Sequence, residues 1–209
     1  MTGLTIAALY LPWRRAFDEA WQSFKRGSFG IGAVLVDPFD GAIVTSGRNR
    51  VAERAAEPRL LSGNLMAHAE MNAFAALDRP NADGLHLYTT LEPCLMCAAT
   101  AMQLKTAHVH FAAIDEFYVG MNEVWSEYTL TAERQPDRTG PLPDHLARFA
   151  RLLPLVFTLR HTAGRSAEQL ARRHHPELSA RADALRTDDE FRLIVESGTV
   201  DDAAAHLDL

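Results

Sequence analysis

Apolar residues from Pro12 to Arg26 fall at Trp13, Phe17, Ala20, Trp21 and Phe24. That is helical spacing, with Arg14, Arg15, Asp18, Glu19 and Lys25 left for solvent. Gly27 and Gly30 close this helix. Ile31 to Val36 reads as a strand, Asp37-Pro38-Phe39-Asp40-Gly41 as a turn, and Ala42 to Gly47 as the partner strand of a hairpin. A polar, Arg-rich stretch from Asn49 to Asn64 leads to His68, after which Ala69, Met71, Ala73, Phe74, Ala76 and Leu77 mark a second helix. Leu85 to Thr90 is a predicted strand, Pro93 sits at the first turn of a third helix running to about Leu104, and Ala107 to Ala113 is another strand.

The order α, β, β, α, β, α, β, with single helices between the later strands, predicts right-handed crossovers and parallel pairing after an antiparallel opening hairpin. The expected fold class is therefore a three-layer α/β/α domain with a mixed sheet, spanning residues 1–140. Residues 116–143 hold Gly120, Pro136, Gly140, Pro141 and Pro143 without clear periodicity and read as a long loop. Beyond it, residues 141–209 read as a mainly helical C-terminal extension. Its predicted helices are Asp144 to Leu153, Ser166 to His174, Leu178 to Arg186, Asp188 to Glu196 and Val200 to Leu207, and Leu155 to Leu159 reads as a strand. Thr199 and Asp202 stand in capping-box register before the last of these helices.

Composition narrows the class of protein. The chain has 209 residues, 47% hydrophobic, with 21 basic and 27 acidic side chains and a net charge of −6, an ordinary globular composition. The apolar runs are too short to span a bilayer and the N-terminus lacks the succession of a signal peptide, so a cytoplasmic protein is expected, with no membrane partner. Neither side of residue 140 is basic: the first part carries 12 basic and 16 acidic residues, the rest 9 and 11. No electrostatic footprint for nucleic acid results, and nucleic acid is not expected as a partner. Arg48, Arg50, Arg54 and Arg59 form a local cluster that suits either a nucleotide phosphate or a solvated loop offset by Glu53 and Glu57.

Cys94 and Cys97 are the only cysteines, too close for a disulfide between them to constrain much chain. Three apart at a helix start, they share a face where the helix N-terminus favours thiolates. Two small core residues would look the same, as would a redox pair, but His68 alters the balance. His68 opens a helix and Glu70 follows two positions later, so both serve one site if they lie in the irregular first turn. His68, Cys94 and Cys97 would give tetrahedral Zn²⁺ three protein ligands and leave a fourth position for water, as in catalytic zinc sites. Zinc is the expected cofactor, and Glu70 stands where a proton-transfer group is needed.

His68-Ala69-Glu70 followed by Thr89-Thr90-Leu91-Glu92-Pro93-Cys94-Leu95-Met96-Cys97 resembles the cytidine and deoxycytidylate deaminase superfamily over about residues 8–115. It looks most like the branch holding tRNA adenosine deaminases and guanine deaminases. The resemblance implies His68, Cys94 and Cys97 as zinc ligands, Glu70 as catalytic proton shuttle, and Asn49 as a base-contacting residue, with Ala67 of the Leu65 to Ala67 loop beside the substrate. It also implies a homodimer packed through the motif-bearing helices. Asn49 after Gly47-Arg48 also suits a plain turn residue. Gly63-Asn64-Leu65-Met66 replaces the Asp-Pro-Thr usual before His-Ala-Glu in the tRNA enzymes, and no basic C-terminal helix is recognisable.

These features point to hydrolytic deamination of an amino-substituted nucleobase or nucleoside, with a purine-type ring favoured by the motif's form. A tRNA-specific adenosine deaminase and a non-catalytic zinc scaffold are the alternatives. The resemblance also implies that the segment after the last strand, with Phe117, Tyr118 and Trp125, closes over the substrate. Trp13, Phe17, Trp21 and Phe24 read as core or dimer packing, and His108 and His110, alternating on one strand, as partner-satisfied or rim residues without a role.

Overall fold

A computed structural model describes residues 5–54, 58–117 and 121–207. Strands β1 (Gly32–Val36), β2 (Ile43–Arg48), β3 (His86–Thr89), β4 (His108–Phe111) and β5 (Asp137–Thr139) form one sheet in the order β2-β1-β3-β4-β5. β1 pairs antiparallel with both β2 and β3, whereas β3, β4 and β5 run parallel. The sheet is thus mixed, as the alternation of helices and strands predicts.

Helix α1 (Leu11–Lys25) packs on one face of the sheet, and α2 (Ala69–Ala75) and α3 (Leu95–Gln103) belong to the other. All five residues of β1 are buried because helices cover both its faces. Leu35, Leu87 and Val109 pack with Ala69, Ala73, Phe74 and Ala101. On the opposite face, Val34 and Val36 lie with Ala16.

Two glycines set how closely these layers approach. A Cβ on Gly32 would lie 2.1 Å from Ala16 O, and one on Gly47 would lie 2.4 Å from both Ala69 O and Ala73 N. At Gly47 the backbone of β2 therefore touches the backbone of α2, which any side chain would prevent. Asn72, fully buried on α2, donates to Arg48 O and Leu61 O at 3.1 Å each and accepts from Leu61 N–H at 2.7 Å. One amide thus ties α2 to the end of β2 and to the loop before it.

The segment after β4 differs from the expected loop. It contains α4 (Met121–Ser126), α5 (Thr129–Ala132) and β5. β5 is a three-residue edge strand reading Asp-Arg-Thr, so it shows no apolar alternation and only its backbone pairing with β4 defines it. The expected strand at Leu155 to Leu159 is instead the second half of α6 (Asp144–His161), which runs through Pro154. A short apolar run reads alike as a buried strand and as a helix buried on several sides. Here Leu152, Leu153, Leu155, Val156 and Leu159 are all buried.

Helices α7 (Ser166–His174), α8 (Pro176–Ala184), α9 (Asp189–Ser197) and α10 (Val200–Leu207) complete the chain. The Thr199–Asp202 capping box is formed, with Thr199 N–H donating to Asp202 Oδ2 at 2.8 Å and Asp202 N–H to Thr199 Oγ1 at 3.2 Å. These helices share one apolar core with α1: Phe17, Trp21 and Phe24 meet Phe149, Leu153 and Phe191. Gly30, at φ +70°, allows α6 to come so close that a Cβ there would lie 2.6 Å from Leu153 Cβ. The aromatic stripe of α1 is thus core packing for the C-terminal helices.

Replacing Gly47 by alanine should push α2 off the sheet, at a cost of roughly 1–3 kcal/mol for the overpacked contact. Urea unfolding of Gly47→Ala measures this, and because α2 carries Glu70 and is opened by His68, metal affinity should fall with it. An unchanged midpoint would mean that the sheet and helix separate without penalty.

Candidate active site

His68 is the N-cap residue of α2 and Cys94 that of α3, both in extended conformation. Loops therefore deliver each side chain to a helix N-terminus, and the two termini meet beyond the C-terminal end of β3. Cys97 lies one turn into α3 and is fully buried. His68 Nδ1 is 3.5 Å from Cys94 Sγ and 3.5 Å from Cys97 Sγ. Tetrahedral zinc, with Zn–S near 2.3 Å and Zn–N near 2.0–2.1 Å, places such atoms about 3.5 Å apart. One imidazole nitrogen and two sulfurs, all within 4.8 Å of one another, therefore fit the ion in spacing and donor type.

The electrostatics suit a cation. The Cys94 thiol is drawn down to about 4, chiefly by a hydrogen bond from Cys97 and, against the burial penalty, by His68. Cys97 moves the other way, raised by the same bond and by burial. His68 is raised above its usual value: burial opposes this, but Cys94 and Glu70 outweigh it.

Glu70 lies in the first turn of α2, 4% exposed, so it shares the site with His68 despite the spacing of two. Its Oε2 is 3.4 Å from Cys97 Sγ, and its Oε1 accepts from Thr89 Oγ1 at 3.3 Å. Burial raises its pKa, favouring the proton-bearing form.

A cavity of about 280 Å³ opens over these groups. Its floor includes His68, Glu70, Cys94 and Asn49, and its walls Phe29, Ile31 and Leu91. The cover comes from α6 and α7, through Arg151, Pro154, Leu155, Thr158, Leu170 and Ala171. No sequence signal links those helices to the motifs, and this contribution is missed without the tertiary structure.

Acidic groups rim the cavity. Asp115 is raised to about 6 by burial, while Glu92 accepts from Asp115 N–H at 3.1 Å and pairs with Arg138 of β5. Glu116 pairs with Arg151 and lies 2.9 Å from His175 Nε2. Burial and the Arg151 cation hold His175 down to about 4.

Asn49 lines the cavity and also makes the turn contact: its Oδ1 accepts from Val51 N–H at 3.1 Å. Its backbone is fixed by Ile31 O at 2.8 Å and by Ser23 Oγ, which donates to Asn49 O at 2.7 Å. Ala67 is fully buried, with its N–H on Asn64 O and its C=O on Arg50 N–H, and is not among the cavity-lining residues. Phe117 lines the cavity; Trp125 is not among its lining residues, and Tyr118 lies outside the described residues. Arg48 forms two 3.0 Å bonds to Glu53, and Arg50, 1% exposed, lies 3.4 Å from the same carboxylate. These two arginines serve the loop's interior, and Glu57 lies outside the described residues.

Residues 11–113 match the model of the cytidine and deoxycytidylate deaminase zinc-binding region. The chain is 32% identical over 115 residues to a tRNA-specific adenosine deaminase of Aquifex aeolicus, covering 53% of this chain and 70% of that one. It is 36% identical over 116 residues to the tRNA-specific adenosine deaminase of Bacillus subtilis, covering 54% and 65%. A structure from a study of A-to-I editing by tRNA:A34 deaminases superposes with a TM-score of 0.51 at 28% identity, over 66% of this chain and 97% of that one. A protein solved with 2,6-diaminopurine shares the fold, with a TM-score of 0.51 at 19% identity, over 77% and 88%. The expectation that nucleic acid is not a partner finds no support in relatives named for tRNA. No helix among the described residues is long and apolar enough to cross a membrane. With its fold, its metal-ready triad and these matches, the chain belongs to the cytidine and deoxycytidylate deaminase family of zinc-binding hydrolases.

Proposed function

We propose that this protein hydrolytically deaminates a small amino-substituted nucleobase or nucleoside, a purine-type ring being favoured, and releases ammonia. The observation that carries this reading is the cover of the cavity. Arg151, Pro154, Leu155, Thr158 and Leu170 line the same cavity as His68, Glu70 and Cys94, and its volume is about 280 Å³, at the low end of small-molecule sites. Apolar walls at Phe29, Ile31 and Leu91 suit the faces of a flat ring, and Asn49 offers an amide to its edge.

His68, Cys94 and Cys97 would hold zinc, which when bound lowers the pKa of a water toward neutrality. Glu70 takes a proton from the attacking water as oxygen adds to the carbon bearing the amino group, and gives it to the adjacent ring nitrogen. The same carboxyl then carries the second water proton to the departing nitrogen, so ammonia leaves as the carbonyl forms. Burial raises its pKa, so the carboxyl holds the proton more readily between these transfers. Thr89 holds Oε1, leaving Oε2 on the side of the metal ligands.

The tRNA reading is favoured by the curated relatives, which are named as tRNA-specific adenosine deaminases. Measuring ammonia release from a panel of bases and nucleosides beside inosine formation in an anticodon stem-loop decides between them. Faster reaction on the stem-loop than on every small substrate would reverse our assignment.

The purified protein should hold about one zinc at the triad, and elemental analysis of the Cys94→Ala, Cys97→Ala double variant should find that equivalent lost. Glu70→Ala should retain zinc and fold while turnover falls by at least ~10²-fold, the usual scale of general acid–base catalysis. Asn49→Ala should chiefly raise KM, because deleting the amide leaves its ring-edge partner unsatisfied; unchanged kinetics would leave Asn49 only its turn contact with Val51.

A further inference from the structure

A second cluster of metal-type donors lies on the α1 face of the sheet, at the N-terminal ends of the parallel strands. His86 opens β3, while His108 and His110 alternate along β4. The register sets His86 opposite His108 and Tyr88 opposite His110, so these side chains share one face. None of the three histidines lines the active-site cavity. All three are half-buried, reachable by an ion but held in place by their neighbours.

His110 Nε2 lies 3.2 Å from His86 Nδ1. Each of the three rings offers a nitrogen, and these nitrogens all lie within 4.8 Å of one another. Two imidazole nitrogens bound to one tetrahedral ion at 2.0–2.1 Å sit about 3.3 Å apart, the spacing of the His86–His110 pair, and the His108 ring, stacked parallel to His110, would turn to bring its nitrogen to the same ion. The rings are also well supported. His108 and His110 stack at 4.0 Å with 3° between their planes, Tyr88 stacks on His110 at 4.3 Å, and His108 Nε2 is 2.7 Å from Thr139 Oγ1 on β5. The bond from Thr139 to the second nitrogen of His108 is of the kind that orients an imidazole around a metal. Asp137, in register with His108, supplies a nearby negative charge.

We propose that His86, His108 and His110 form a second metal site, which takes a divalent transition-metal ion of the zinc, copper or nickel type and ties β3 to β4. Imidazole donors select these ions over magnesium and calcium, which prefer oxygen. The site joins two strands whose sequence separation makes their pairing costly to form, at the end of the sheet remote from the catalytic triad.

The test is equilibrium dialysis of the full zinc-loaded chain against micromolar free Zn²⁺, followed by elemental analysis. The wild type should hold about two zinc ions per chain and His86→Gln/His110→Gln about one, the remaining ion being that of the cysteine site. Equal zinc in both proteins overturns the proposal. A second measurement needs no variant: Co²⁺ added to wild type carrying a single zinc per chain, that of the cysteine site, should bind with d–d absorption and no thiolate-to-metal charge-transfer band. Absence of cobalt uptake, or uptake accompanied by thiolate bands alone, also overturns it.

Discussion

Two helix N-termini must meet at one point for this protein to have a site at all. His68 caps α2 and Cys94 caps α3, and their donor atoms converge only because both helices are pressed onto the same face of the sheet. Small residues make that pressure possible: Gly47, Ala69 and Ala73 let backbones touch, and Asn72 then holds the junction by hydrogen bonds. The same packing brings the Cys97 thiol and the His68 imidazole against Cys94, and these favour its thiolate. Geometry and electrostatics at the centre thus share one cause.

The rest of the cavity depends on a different kind of contact. The C-terminal helices do not hang from the deaminase core; α6 is buried against Phe17 and Phe24 of α1, and Gly30 permits its close approach. Leu153, in the core, is followed directly by Pro154, which lines the cavity, so packing into the core and lining the site are achieved by consecutive residues. The apolar anchoring of α6 therefore sets the volume of the cavity beside the metal-ready residues. Arg151 and His175 add charge and polarity at the rim through their contacts with Glu116.

The two ends of the parallel strands carry different chemistry for a topological reason. Loops leaving the C-terminal end of β3 lead directly into α3, so reactive groups there sit at a helix start. Toward the N-terminal end, the donors come from the strands themselves, and alternation brings every second residue of β3 and β4 to one face. His86, His108 and His110 meet by that rule alone.

Most of the candidate site was legible in the amino-acid sequence, because motifs at helix starts depend on local spacing. Gly-Arg-Asn, His-Ala-Glu and Pro-Cys-Leu-Met-Cys each mark a position relative to a strand or helix boundary, and the alternation of elements implies a mixed sheet. What pairs across long separations was not legible. β5 has no apolar pattern and exists through backbone bonds to β4; the run Leu155 to Leu159 looks like a strand until its burial on several sides makes it helix. His108 and His110 read as rim residues without a role because the third histidine, His86, comes from a strand 22 residues away in register. Local hydrogen-bonding and capping preferences are written residue by residue along the chain, whereas the cover of the active site and the meeting of distant side chains depend on which surfaces bury one another, and that only the folded structure decides.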